Sequence, residues 1–147
     1  MTGIPNPEPT SPDRGSMAAP WANEPDNLEW RSNSGLDCVL VRNSRYGHFC
    51  GYVQVPEGHP LTTEGGKSES DPIFDDFTVH GGVTYFGRRF GKDGGLWVGF
   101  DAGHGFDDLP FYLDENPVNN DTRTYRNVSY MQAECDKLAR QLVEMSK

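Results

Sequence analysis

Four histidines are the side chains of this chain best suited to chemistry near neutral pH, and each lies beside a glycine. His48 and His59 follow a glycine, His80 precedes Gly81, and His104 lies between two glycines. A neutral imidazole can accept or donate a hydrogen bond, act as a general base or ligate a metal. Glycine neighbours leave room for a ligand to approach the ring. The alternative for each histidine is that it caps a turn or satisfies a buried polar group.

The densest polar segment is FDAGHGFDD, which begins at Phe100. Asp101 and His104 are three residues apart at the end of a predicted strand. This spacing is compatible with metal ligation, or with a general base and the carboxylate that orients it. We expect ligand contact for Asp101 and His104, with Asp107 and Asp108 as secondary candidates. A solvated acidic loop is the alternative, and no metal ligand is assigned.

Residues between the histidine motifs could bind the ring and phosphate groups of a nucleotide-like ligand. Gly81–Gly82 would leave backbone amides open, and Arg88 and Arg89 could pair with a phosphate. Tyr85 and Trp97 offer flat faces for stacking. Solvated arginines at a hairpin tip and aromatic rings packed in the core are the alternatives.

The cysteines argue against several site classes. Cys38, Cys50 and Cys135 are odd in number and show no CxxC spacing, which disfavours a disulfide framework and a structural zinc site. Cys50 would share a strand face with His48, so a nucleophilic pair is conceivable, although such neighbours are more often simply packed. The chain has no nucleophile elbow, Walker loop or Rossmann fingerprint.

Apolar patterning predicts the elements that must position these residues. Strands are predicted at 36–41, 48–55, 79–85 and 96–100, with the third interrupted by Gly81–Gly82. The second strand is apolar on both faces, as in a central strand. A polar loop is predicted over 57–70. A C-terminal helix is predicted from the apolar stripe Met131, Cys135, Leu138, Leu142 and Met145. Asn127 could cap it, and Ser129 with Gln132 is the alternative cap. We predict an α+β fold: a mostly antiparallel sheet of about four to five strands with the helix packed on one face.

Length and charge define the domain organisation. The 147 residues predict one globular domain over 28–147, preceded by a disordered proline-rich tail over 1–27. The net charge of −9 disfavours binding to a nucleic-acid polymer. No apolar run approaches the roughly 18–20 residues of a membrane span, and no signal peptide is evident, so we expect a soluble intracellular protein with no membrane partner.

A series of short motifs resembles a group of small proteins of tailed phages and prophages. The motifs are GHFCGYVQVP, GHP, VHGGVTYFG, WVGFDAGH and YRNVSYMQAECDKLA, and they cover roughly residues 36–142. The segment between His104 and the following aspartates is longer here than in that group. The resemblance implies a phage source and a shared fold unit, and it implies no particular reaction.

A phage source implies a role in the cytoplasm of the host cell. The leading hypothesis is a protein that sequesters a cyclic-nucleotide or ADP-ribose-type immune signal, with His48, His80 and His104 contacting its polar groups. The rival hypothesis is a hydrolase of such a signal, with His80 or His104 as general base and Asp101 as the orienting group or a metal ligand. A third hypothesis is an adaptor that binds a host protein. We expect no cofactor, and self-association into a homo-oligomer stays open.

Overall fold

A five-stranded antiparallel sheet lies at the centre of the computed structural model, which describes residues 21–63, 68–90, 95–111 and 123–147. The strands are β1 (Asn27–Arg31), β2 (Asp37–Arg42), β3 (Phe49–Gln54), β4 (Tyr85–Arg88) and β5 (Leu96–Asp101), in the spatial order β1-β2-β3-β5-β4. Two short helical segments follow β3: α1 (Pro60–Thr63) and a 3-10 helix (Pro72–Asp76). The C-terminal helix α2 (Val128–Met145) contacts β2 and β3. The predicted α+β class is therefore confirmed.

Strand β3 is central, as its two apolar faces predicted. It pairs with β2 on one side and β5 on the other. Phe49, Gly51 and Val53 face α2 and are buried, whereas Cys50 and Tyr52 lie on the opposite face, in a second apolar cluster. The alternation of side chains along an extended strand is what divides them in this way.

Helix α2 packs on the sheet through the predicted stripe. Met131, Cys135, Leu138 and Leu142 are all fully buried. The side chain of Asn127 accepts a hydrogen bond from the backbone N–H of Tyr130, which confirms the predicted N-cap. Among the described helices, none combines the length and the apolar character that crossing a lipid bilayer requires.

A glycine in β3 allows the helix to approach the sheet closely. A Cβ atom on Gly51 would lie 2.7 Å from a ring carbon of Phe100 and 2.9 Å from the Sγ of Cys135. Both neighbours belong to the core, so neither can move aside freely. The absence of a side chain at this position therefore sets the distance between α2 and the sheet.

The turn before β4 differs from the prediction. The strand predicted over 79–85 begins only at Tyr85, because Gly81 and Gly82 take φ values of +71° and +82°, which interrupt an extended chain. The backbone N–H of Gly82 instead donates to the carbonyl of Val79 and closes a turn. Part of the predicted 57–70 loop is helix α1, and residues 64–67 lie outside the described residues.

The folded part begins before Leu28, the start expected from the sequence. Trp21 is buried and packs edge-on against Tyr125, with ring centroids 5.4 Å apart. Glu24 accepts hydrogen bonds from the hydroxyl of Tyr125 and from the backbone N–H of Val128, at the start of α2. Of the predicted tail, residues 1–20 lie outside the described residues.

Replacing Gly51 by alanine should destabilise the fold by about 1–3 kcal/mol, because the added methyl group would overpack the contact between α2 and β5. The measurement is the free energy of unfolding in urea. Gly105→Ala is the matched control, since a Cβ there meets no atom within 4 Å. Equal stabilities of the two variants would contradict the close-approach argument.

Candidate functional site

Three of the four histidines come together at one end of the sheet, beside the start of α2. His80 lies in the turn before β4, His104 follows β5, and His48 immediately precedes β3. The ring centroids of His80 and His104 are 6.0 Å apart. Together with Asp101 and Asp107 they form what we call the histidine–aspartate cluster: His48, His80, Asp101, His104 and Asp107.

Asp107 is the best-connected member of the cluster. It is only 2 % exposed, and its carboxylate accepts hydrogen bonds from Arg126 Nε at 2.8 Å and from the backbone N–H of His104 at 3.0 Å. His80 Nε2 lies 2.8 Å from the same carboxylate. Burial would raise the pKa of Asp107, but the hydrogen bonds from Arg126, His80 and His104 lower it further than burial raises it. Asp107 is therefore held as a carboxylate.

His80 joins this carboxylate to a tyrosine. Its Nδ1 atom lies 2.8 Å from the hydroxyl of Tyr130, and its Nε2 atom faces Asp107. Because an ionised carboxylate can only accept, Nε2 carries the proton, and in the neutral ring the Tyr130 hydroxyl donates to Nδ1. The backbone N–H of His80 donates to Glu134 at 2.8 Å, which fixes the turn against α2. A hydroxyl, an imidazole and a carboxylate in series can act as an acid–base relay.

His104 is the histidine of the cluster that reaches solvent. Its side chain is 40 % exposed, and its Nδ1 atom lies 3.7 Å from a carboxylate oxygen of Asp101 and 3.7 Å from one of Asp107. A Cβ on Gly81 would lie 2.2 Å from Cε1 of this ring. Gly81 is therefore required both for its positive φ and for the position of the His104 ring.

Asp101 and His48 complete the cluster. Asp101 accepts hydrogen bonds from Thr84 Oγ1 at 3.0 Å and from the backbone N–H of Gly103 at 2.9 Å, so its carboxylate is fixed at the end of β5. His48 is buried, and its Nδ1 atom has no hydrogen-bond partner within the described part of the chain. Burial lowers the pKa of His48 although Asp101 and Asp107 oppose the shift, so its ring favours the neutral form.

His59 does not join the other histidines. It is 2 % exposed, its Nε2 atom lies 2.8 Å from the carbonyl of Leu142, and its Nδ1 atom accepts from the backbone N–H of Leu61 at 3.0 Å. Both ring nitrogens are therefore used in connecting α1 to α2. The structure supports a structural role for His59 and places it away from the cluster.

The aromatic and basic candidates lie mainly on the sheet face opposite α2. Trp97 is 5 % exposed and is covered by Phe90, with ring centroids 4.8 Å apart. The guanidinium of Arg89 lies 4.7 Å from the ring centroid of Tyr52 and 5.4 Å from that of Tyr85. Trp97 and Arg89 are thus engaged within the protein. Tyr85 stays partly exposed, and Arg88 is exposed at the end of β4.

Sequence reasoning missed the contribution of α2 to the cluster. Tyr130 and Glu134 both contact His80, and Arg126 binds Asp107 just before the helix begins. The sequence pattern that could have revealed this contribution is the spacing of Tyr130 and Glu134. They are four residues apart, so they share a helix face beside the apolar stripe.

Comparison with known proteins finds no matching protein-family model, no matching curated protein and no matching solved structure. The resemblance to phage proteins therefore stays a prediction. The function has to be argued from the geometry of the histidine–aspartate cluster itself.

Replacing Asp107 by asparagine should lower the free energy of unfolding at pH 7 by about 3–5 kcal/mol, the usual effect of breaking a buried ion pair. Because its folded-state pKa is lowered, Asp107 contributes stability above the unfolded-state pKa of about 3.9, and this contribution is lost as pH falls through the folded-state pKa. Urea unfolding from pH 7 to pH 2.5 should show a flatter acid dependence for Asp107→Asn.

The control for that experiment is Asp37→Asn. Asp37 pairs with Arg31 at the surface, where ion pairs contribute about 0–1 kcal/mol. This variant should keep the acid dependence of the natural chain. An Asp107→Asn variant with an unchanged acid dependence would show that the carboxylate is not held ionised by its neighbours.

Cys50 should react slowly with iodoacetamide at pH 8. Burial and the Asp101 carboxylate raise its thiol pKa to about 11, so its thiolate population, and with it the rate, should be on the order of 100-fold below that of an ordinary thiol. Peptide mass spectrometry after timed alkylation measures the rate. Asp101→Asn should accelerate it by removing a negative charge, and a rate equal to that of glutathione would restore Cys50 as a candidate nucleophile.

Proposed function

We propose that this chain is a small-ligand-binding protein whose site is the histidine–aspartate cluster. The ligand is a nucleotide-derived signal of the cyclic-nucleotide or ADP-ribose type, and its sequestration in the cytoplasm of a phage-infected cell weakens host defence. The observation that supports this function best is the contrast within the cluster: Asp107 and His80 are mostly buried and fully engaged, whereas the side chains of His104 and Asp101 are 40 % and 28 % exposed.

The exposed part of the cluster suits a ligand rich in hydroxyl groups. A carboxylate accepts hydrogen bonds from ribose hydroxyls in many nucleotide sites, and Asp101 presents such a group at the end of β5. The His104 imidazole, between Asp101 and Asp107, can accept or donate beside it. Because Thr84 and Gly103 already fix Asp101, little ordering is needed when the ligand binds.

Charge argues that a phosphate would bind outside the cluster. Asp101 and Asp107 are both acidic, and Arg126 is already paired with Asp107. Thr84, which donates to Asp101, directly precedes β4, and this strand carries Tyr85 at its start and Arg88 at its exposed end. A nucleotide with its ribose at Asp101 would extend along β4 past Tyr85. Its phosphate would reach Arg88 at the edge of the sheet, because the two side chains start on opposite faces of this last strand.

A hydrolase is the second candidate, and the series Tyr130–His80–Asp107 is the observation that favours it. We prefer binding because the side chain of His80 is only 12 % exposed and both of its ring nitrogens are occupied. To act as a general base on water, His80 would first have to release Tyr130. The third hypothesis, an adaptor of a host protein, has less support. Phe106 is 73 % exposed, but single exposed apolar residues are ordinary on protein surfaces.

The test is calorimetric titration of the chain, in a buffer with a chelator, against a panel of cyclic dinucleotides, ADP-ribose and its cyclic forms. We expect one ligand to bind in a one-to-one complex and to be recovered intact after the protein is heated. His104→Ala should weaken the affinity about 10- to 100-fold, as expected for a lost hydrogen bond to a charged or polar group. Arg140→Ala, at an exposed position on α2, should bind as the natural chain does.

The outcomes separate the candidates. Recovery of an altered ligand, together with loss of that activity in His80→Gln, would establish the hydrolase. Unchanged affinity in His104→Ala would show that the ligand binds elsewhere on the chain. Absence of binding to every compound of the panel would refute the proposed ligand class.

A further inference from the structure

Three side chains of the cluster place potential metal ligands close together. His80, His104 and Asp107 each offer one ligand atom, and these three atoms all lie within 4.8 Å of one another. His80 Nε2 is 2.8 Å from Asp107 Oδ2, and His104 Nδ1 is 3.7 Å from the same oxygen. They come from two turns that are far apart in the sequence, so their convergence is a product of the fold.

The two separations that involve Asp107 Oδ2, 2.8 and 3.7 Å, are close to the edges of a tetrahedral metal site. With metal–ligand bonds of about 2.0–2.2 Å, ligand atoms around a tetrahedral zinc ion are about 3.4 Å apart, a value that lies between the two measured separations. Two imidazoles and one carboxylate form a nitrogen–oxygen set that suits zinc and neighbouring divalent transition metals, whereas calcium and magnesium prefer oxygen alone. Three protein ligands also leave a fourth position for water or a ligand, on the side where His104 is exposed.

Tyr130, the hydrogen-bond partner of His80 Nδ1, suits the site both with and without a metal ion. Without a metal, Nε2–H donates to Asp107 and the Tyr130 hydroxyl donates to Nδ1. With a metal on Nε2, the proton belongs on Nδ1, and it would be donated to the oxygen of Tyr130. Metal-bound histidines nearly always donate their second N–H to a carboxylate, a backbone carbonyl or water, and the Tyr130 oxygen would be the acceptor here. A hydroxyl can either donate or accept, so the hydrogen bond between His80 Nδ1 and Tyr130 can persist when a metal ion replaces the proton on Nε2.

Other contacts hold the three ligands in position. The backbone N–H of His104 donates to Oδ2 of Asp107 at 3.0 Å, and Arg126 Nε donates to Oδ1 at 2.8 Å, so both oxygens are fixed. Oδ2 has a second lone pair, and it is the oxygen that lies nearer to His80 Nε2. Gly81 leaves the space that the His104 ring occupies. The Arg126 charge weakens the attraction of the carboxylate for a cation, and Asp101, 3.7 Å from His104 Nδ1, adds negative charge on the open side.

From this geometry we propose that His80, His104 and Asp107 bind one divalent transition-metal ion, with zinc as the best fit. The site presents its open coordination position beside Asp101, where the proposed nucleotide-derived ligand would lie. The inference goes beyond the proposed function and does not depend on it, because it concerns the chain and the ion alone.

The experiment uses the chain stripped of metal with a chelator and then dialysed. Cobalt(II) is titrated in and followed by its visible absorption, which is intense for four- or five-coordinate sites, and zinc(II) is titrated by calorimetry. We expect one ion per chain, displacement of cobalt by zinc, and a rise in the melting temperature with zinc. Because no nucleotide is present, and because the ligand titrations contain a chelator, the two proposals can fail separately.

Two variants test the assignment of the ligands. His104→Ala removes a ligand from a half-exposed ring and should weaken the affinity for zinc more than about 100-fold, whereas Tyr130→Phe removes only the outer partner and should weaken it about 10-fold. Asp37→Asn, on a distant strand, is the control for weak surface binding and should leave the affinity unchanged. Circular dichroism of each metal-free variant shows whether it is folded.

Three results would overturn the proposal. One is binding by the natural chain no tighter than about 1 mM, a free energy of about −4 kcal/mol that a dedicated site exceeds. Another is an affinity of His104→Ala equal to that of the natural chain. The third is a cobalt–thiolate charge-transfer band, which would assign the ion to the cysteines.

Discussion

The buried carboxylate of Asp107 is the constraint on which this end of the molecule depends. It binds His80 from the turn before β4, the backbone of the turn after β5, and Arg126 from the segment before α2. An ionised carboxylate that is removed from water must be surrounded by donors, since an unpaired charge inside a protein is very costly. Three segments of the chain therefore meet at the Asp107 carboxylate. Its need for hydrogen-bond donors determines the geometry of the cluster.

The sheet makes this arrangement possible because β3 begins and β5 ends at the same end of the sheet. In the antiparallel pair of β3 and β5, Cys50 lies opposite Asp101, so the entry to one strand and the exit from the other are neighbours. This pairing brings His48 beside the 102–107 turn. Helix α2 then closes the site from its first turn, because Gly51 allows it to lie close to the sheet. The cluster thus forms where the end of the sheet, the turns before β4 and after β5, and the first turn of α2 meet.

Much of the framework was predictable because it follows from periodicity. The period-two pattern of β3 and the stripe of α2 describe burial, and burial is decided by each residue's own hydrophobicity. The strand predicted over 79–85 was too long at its start: the two adjacent glycines that were expected to interrupt it form a turn, and the strand begins only at Tyr85. The folded part begins earlier than expected because Trp21 is buried against Tyr125. These residues are far apart in the sequence, so no local sequence pattern indicates the contact.

The cluster was predictable only in part, for a similar reason. Glycine neighbours marked His80 and His104, but they marked His59 equally, and that ring serves instead to connect two helices. What distinguishes the histidines is which carboxylate each one meets, and this depends on how distant turns meet in the fold. Asp107 was therefore only a secondary candidate beside Asp108, and Tyr130 was not singled out, because their contacts with His80 join segments that are far apart in the sequence.

The start of α2 carries a consequence for recognition of anions. A helix amino terminus concentrates partial positive charge and is a common seat for phosphate groups. Here Glu24 accepts from the backbone N–H of Val128, and Asn127 accepts from that of Tyr130, so the chain supplies its own acceptors at this pole. A phosphate group could accept a hydrogen bond from the backbone N–H of Val128, and interact with the helix dipole there, only after displacing Glu24. Part of the binding capacity of this helix terminus is therefore already used within the chain, which agrees with a phosphate position away from α2.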